Sequence, residues 1–142
     1  IAAIPEITPH MIAAAEQELL RSCGLSARKV MYLHDLSRHF REGDLNETAW
    51  ENLDDETIIK QLIQVKGIGR WTAEMFLIFH LHRPDVLPLD DIGLQRAISL
   101  HYFDKQAVDK NTLIETAKPW QPWRSVATWY LWRSLDPLPV AY

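Results

Sequence analysis

The sequence predicts an all-α fold, and three observations carry that prediction. Apolar residues recur at threes and fours along nearly the whole chain, capping residues and glycines or prolines interrupt them at regular intervals, and no segment alternates with period two for long enough to make a strand. Neither an internal repeat nor a low-complexity tract is present. One helical domain spanning residues 1–142 is expected.

The elements follow in order. Thr8 before Pro9 is a cap with proline at the first helical position, and Met11, Ala15, Leu19 and Leu20 give one helix an apolar face before Gly24. Ser26 caps a second helix, in which Val30, Leu33, Leu36 and Phe40 recur up to Gly43. Asn46 to Leu53 reads as a short helix with Leu45 and Trp50 turned inward, and Asp54 or Asp55 starts the next, carrying Ile58, Ile59, Leu62 and Ile63. The stretch from Arg70 or Trp71 to about Leu81 is so apolar that burial on most faces is expected, making it the central helix. "HRPDVLPLDD" is a loop with two prolines, leading into a helix from Asp90 or Asp91 through Ile98. Residues 109–117 form another, and the last long helix starts near Pro122 and ends before Pro137.

Composition excludes several classes. No window approaches the roughly 18 apolar residues of a membrane span, so an intracellular protein is expected. Cys23 stands alone, which rules out an internal disulfide or a cysteine cluster, and the six histidines show no metal-ligand spacing. With net charge −4 and pI about 5.8, bulk positive charge is not how this chain would hold a nucleic acid.

The segment "LIQVKGIGRWTAEMFLIF", residues 62–79, breaks a helix with two glycines and then resumes it. Glycine frees the backbone from the restriction on positive φ and removes side chains from the path of anything approaching. The helix that follows begins with unpaired N–H groups, a site for an anion such as phosphate, flanked here by Lys66 and Arg70. A tight interhelical turn would explain two glycines alone. The longer pattern, with Val65 entering the turn, Ile68 between the glycines and Thr72 and Ala73 following, resembles the helix-hairpin-helix of DNA repair proteins. That resemblance implies DNA-backbone contacts at Lys66, Gly67, Gly69, Arg70 and Thr72. It also implies a structural monovalent cation, Na or K, on the carbonyls of Ile63, Val65 and Ile68, with no other cofactor required.

Two aspartates end the proline loop in "LPLDDIGLQR". One can cap the helix while the other projects into a cleft. A hairpin followed about twenty residues later by Asp-x-x-apolar-x-Arg is similar to the helix-hairpin-helix DNA glycosylase superfamily. Asp91, Leu94 and Arg96 fit that spacing, so the catalytic role falls by resemblance on Asp91 and the cap or a supporting role on Asp90. "GLSARKVMYL", "VKGIGRWTAEMF", "LPLDDIGLQ" and "PWRSVATWYLW" look like segments of the DNA-3-methyladenine glycosylase II group, in that group's order.

What the resemblance implies is a monofunctional glycosylase acting as a monomer on alkylated purines in double-stranded DNA. Trp71, Met75 and Trp132 would line the base pocket, where an indole face attracts a cationic alkylated base by about 0.5 to 2 kcal/mol per contact. Trp71 stands where strand-cleaving relatives carry a lysine, so no Schiff base can form at that position. Trp50, Trp120, Trp123 and Trp129 are expected in the core. Family members carry further helices before the point matching Ile1, so the fold expected is the glycosylase helical domain without them, from a chain that is processed, excised or partial. A non-catalytic DNA-binding module is the rival, in which Asp91 would be unimportant.

Overall fold

A computed structural model describes residues 7–136 of the chain; Pro137 and Ile1 lie outside the described residues. Those residues are helical, with turns between and no strand among them. The chain divides into two compact units, residues 1–70 and 71–142.

In the first unit, α1 (Pro9–Ala14), α2 (Gln17–Ser22) and α3 (Ala27–Glu42) pack together, and α4 (Glu47–Trp50) and α5 (Asp55–Leu62) follow. Each starts where a short polar side chain can accept a first-turn N–H, except α2. Thr8 accepts from Met11 at 3.2 Å, Ser26 from Lys29 at 3.3 Å, Asn46 from Thr48 at 3.1 Å and Asp54 from Thr57 at 3.0 Å. Gly43 ends α3 in the left-handed region, at φ 86°.

The single helix expected from Pro9 to Gly24 is instead two. Ala15 and Glu16 are extended, with ψ of 136° and 146°. On one straight helix Ile12 and Leu20, eight residues apart, would point about 80° apart. Broken, the segment buries both against Val30, with Ala15, Leu25 and Leu33 around them. Tertiary burial overrides good local helix propensity here. Leu45 and Trp50 turn inward as expected, and the Trp50 indole donates to Gln61 Oε1 at 2.8 Å and meets Phe40 edge-on.

The second unit holds nearly all of α6 (Arg70–Phe79), then α7 (Ile92–Tyr102), α8 (Lys110–Ala117), a 3₁₀ turn at Lys118–Trp120 and α9 (Arg124–Arg133). Leu94, Ile98 and Leu113 form its core, with Leu87, Leu89, Phe103, Val108, Trp120 and Leu131 against them. Three expectations are corrected. Only Ala73, Glu74 and Leu77 of α6 are buried, so it is not covered on most faces. α7 runs four residues beyond Ile98. Trp123 is 60% exposed and Trp129 38% exposed, so neither is a core residue.

The proline loop is tied to the start of α9. Arg124 Nε and one terminal nitrogen donate to the two oxygens of Asp85 at 2.6 and 2.9 Å, and Ser125 Oγ donates to the Arg83 carbonyl at 2.6 Å while accepting the Val86 N–H at 2.9 Å. Such a two-pronged guanidinium–carboxylate contact fixes geometry as well as charge. The Arg124 guanidinium holds the Asp85 carboxyl below its usual range. A carboxyl lowered in this way stabilises the fold above its unfolded-state pKa, about 3.9, and loses that contribution as pH falls through the folded value. Asp85→Ala should therefore cost about 1 to 2 kcal/mol at pH 7. In urea denaturation the deficit should hold down to about pH 5 and shrink below about pH 4.

Candidate active site

Asp91 stands at the junction of the proline loop and α7. Its N–H donates to the Pro88 carbonyl at 3.0 Å, which turns the chain, and its extended backbone (φ −76°, ψ 117°) puts it at the N-cap of the helix that Ile92 begins. Oδ1 accepts the Leu94 N–H at 2.6 Å. The cap is thus Asp91, not Asp90 as expected. Leu94, whose N–H seeks a partner, is the third helical residue, within reach of the residue immediately before the helix. Asp90, one position earlier, pairs with Lys110 Nζ at 2.5 Å on the surface.

Capping does not exhaust this carboxylate. Trp132 of α9 donates its indole N–H to the same Oδ1 at 2.7 Å, and Trp71 of α6 donates to Oδ2 at 2.9 Å. Three helices, through one amide and two indoles, converge on a residue that is 8% exposed. A carboxylate offers about four lone-pair sites. Three are taken, and the fourth lies on Oδ2, beside Trp71, which is itself 47% exposed. Trp71, Asp91 and Trp132, which the family resemblance grouped, are joined by the fold. Met75 sits half-buried one turn along α6 from Trp71.

Two participants escaped the sequence analysis. Phe79 stacks on Trp132, with ring centroids 5.9 Å apart and planes 17° from parallel. Gly93 is the other: a Cβ there would come within 2.9 Å of Trp132 Cδ1 and 3.1 Å of Asp91 Oδ1. Glycine inside a helix costs roughly 0.5–1 kcal/mol against alanine, so its presence at the second helical position was a signal available in the sequence. Gly93→Ala should push the Trp132 indole off the carboxylate. The Trp132 indole N–H resonance should shift upfield in proton NMR, and if Asp91 is catalytic, turnover should fall about ten-fold.

The turn after α5 belongs to the first unit. Val65 donates its N–H to the Leu62 carbonyl and Ile68 donates to the Val65 carbonyl, each at 3.1 Å, which closes the turn on itself. Gly67 has φ of +87°, the left-handed region that glycine favours, and an added Cβ would lie 2.2 Å from Tyr32 Cδ2. Of the two hairpin glycines, Gly67 adopts positive φ and Gly69 does not. A Cβ on Gly69 would meet nothing within 4 Å, so its lack of a side chain leaves open space at the surface.

Lys66, Arg70 and Thr72 are exposed. Arg70 engages both oxygens of Glu56 and holds that carboxyl below its usual range, so its charge is largely matched within the molecule. Among the described residues no cluster of three or more His, Cys, Asp or Glu side chains could hold a metal ion. Ile63 closes α5 as its C-cap, and Val65 is buried.

A family model described as the HhH-GPD superfamily base excision DNA repair protein matches residues 2–122. The chain belongs to this superfamily. Within the HhH-GPD proteins it is similar to a putative DNA-3-methyladenine glycosylase, YfjP, of Bacillus subtilis, at 41% identity over 90% of this chain and 45% of that protein. Among solved HhH-GPD structures it matches a DNA-3-methyladenine glycosidase from Bacillus halodurans with a TM-score of 0.86, at 38% identity over 93% of this chain and 61% of the other. A Schizosaccharomyces pombe 3-methyladenine DNA glycosylase in complex with abasic DNA matches with a TM-score of 0.78, at 35% identity over 94% of this chain and 66% of the other. The chain spans about half the length of the curated HhH-GPD relatives it matches, 45% of one and 56% of another.

Proposed function

We propose that this chain carries the catalytic part of a monofunctional DNA glycosylase that hydrolyses the N-glycosidic bond of alkylated purines in double-stranded DNA. The observation that carries the proposal is the Asp91 carboxylate, held by two indole N–H groups and a helix amide with one lone-pair site to spare. A helix cap alone needs only the Leu94 contact. Convergence of two tryptophans on the same oxygens fixes the group in place, as a site must be when it stabilises charge without reorganising.

Breaking the bond between base and sugar develops positive charge on the deoxyribose. A fixed carboxylate beside that charge lowers the barrier electrostatically, and only the free site on Oδ2 needs to face it. With three of its four sites engaged, Asp91 is better suited to that role than to accepting a proton from water. Trp71, Met75 and Trp132 supply apolar surface for the everted base, and the exposed part of Trp71 offers an indole face to its positive charge. Similarity to the 3-methyladenine glycosylases supports the choice of alkylated purines.

Backbone binding falls on the hairpin. Lys66 and Ile68 spend their amides within the molecule, so the glycine amides at 67 and 69 are the ones offered to phosphate, with the exposed Lys66 side chain next in sequence. A monovalent cation fits the chemistry of the carbonyls of Ile63, Val65 and Ile68, because a carbonyl oxygen has two lone pairs and Val65 spends one on Ile68. We place the activity with the cell's DNA, and among the described residues no helix is long and apolar enough to cross a membrane.

Incubation with duplex DNA methylated at purine nitrogens tests the proposal. Free 3-methyladenine should appear, and the abasic strand should stay intact until treated with alkali. Duplex binding with no base release would favour a non-catalytic module.

A further inference from the structure

The hairpin does not set its own geometry. Helix α3 meets it with two side chains one turn apart: the Tyr32 ring lies against Gly67, and Asp35 Oδ2 accepts the Lys66 N–H at 2.8 Å. Asp35 is only 9% exposed at its side chain, and the Lys66 N–H holds its carboxyl below the usual range. Its other oxygen accepts from Arg38 at 3.1 Å, and Arg38 also pairs with Glu42 at 2.5 Å. Through Arg38 the network reaches buried His39, whose Nε2 lies 2.9 Å from the guanidinium and whose Nδ1 lies 2.9 Å from Asp44. An anchored carboxylate therefore sits on a turn that is to receive phosphate, where its charge alone would be unfavourable.

We propose that Asp35 is a positioning residue for DNA-backbone binding: by fixing the Lys66 amide, with Tyr32 backing Gly67, it aims the neighbouring glycine amides at phosphate. The inference rests on the proposed hairpin grip. Two opposite contributions follow from it. Accepting the Lys66 N–H favours binding by ordering the turn in advance, and the negative charge opposes binding, so the two separate by substitution. Asp35→Asn keeps an acceptor and loses the charge. Asp35→Ala loses both.

Affinity for a duplex carrying an abasic-site analogue, by fluorescence anisotropy, and single-turnover base release at saturating enzyme are the measurements. Asp35→Ala should raise Kd about ten-fold while the saturating rate stays within about two-fold. Asp35→Asn should bind as tightly as the wild type or more tightly. Should Asp35→Ala fail to fold, Asp35→Gln preserves the helix but carries its acceptor one bond further out, and it should raise Kd at least about three-fold. Unchanged Kd in Asp35→Ala, or in Asp35→Gln if that is the variant tested, overturns the inference, as does Asp35→Asn binding as weakly as Asp35→Ala. Gly69→Leu, which has open space for its side chain, separates this from the hairpin grip itself. If Gly69→Leu weakens binding and Asp35→Ala does not, only the positioning role fails. If Gly69→Leu binds like the wild type, the grip fails and the positioning role with it.

Discussion

Asp91→Asn should release 3-methyladenine from alkylated duplex at least about 10³-fold more slowly than the wild type, with binding to an abasic-site duplex changed little. The expected size reflects what is lost. An amide is isosteric but neutral, so the developing charge on the sugar loses its counter-charge in a site sheltered from water. Orientation is lost as well. Asn can keep its oxygen toward Leu94 and Trp132, but its NH2 then points at the Trp71 indole N–H, donor against donor, and such a mismatch in a buried group costs about 1 to 3 kcal/mol. A melting temperature lowered by a few degrees should therefore accompany the loss of activity. Wild-type excision by a folded Asp91→Asn would leave the tryptophan-held carboxylate as architecture alone.

Gly67→Ala should have the second largest effect, on the fold and on DNA binding together. Its φ of +87° is costly for any residue with a Cβ, and the added atom would lie 2.2 Å from the Tyr32 ring. The two penalties sum to about 2 to 4 kcal/mol of stability, measurable by urea denaturation. They also separate. Tyr32→Ala in the same chain removes the overlap but not the backbone strain, so the double variant should recover part of the loss and no more. Because the strain moves the glycine amides, affinity for duplex DNA should fall at least about ten-fold even where the protein stays folded. Gly69→Ala, with open space and no positive φ, is the contrast and should leave stability within about 0.5 kcal/mol.

Most helices were legible because their signals are local. Thr8, Ser26, Asn46, Asp54 and Asp109 each cap the helix they precede. The break at Ala15 was not, because Ile12 and Leu20 are buried together by a contact with Val30 that no local pattern encodes. The candidate site was legible in its members and not in its bonding. Resemblance to the glycosylase group selected Asp91, Trp71 and Trp132, but that both indoles donate to one carboxylate depends on three helices meeting. The division of labour between Asp90 and Asp91 was misjudged by treating capping and chemistry as alternatives. One residue holds the cap with one oxygen and keeps a free lone-pair site on the other. Apolar content misled at Trp123 and Trp129, because composition does not say which face of a helix is covered.

The central claim is spatial, and a structure tests it most directly. Crystals of the protein with duplex DNA carrying a cationic pyrrolidine abasic analogue would place the sugar ring and its charge in one map. The account predicts that ring with its nitrogen about 3 to 3.5 Å from Asp91 Oδ2, and both indole N–H bonds intact. A sugar bound elsewhere, or Asp91 enclosed by Trp71 and Trp132 with no nucleotide beside it, would contradict it.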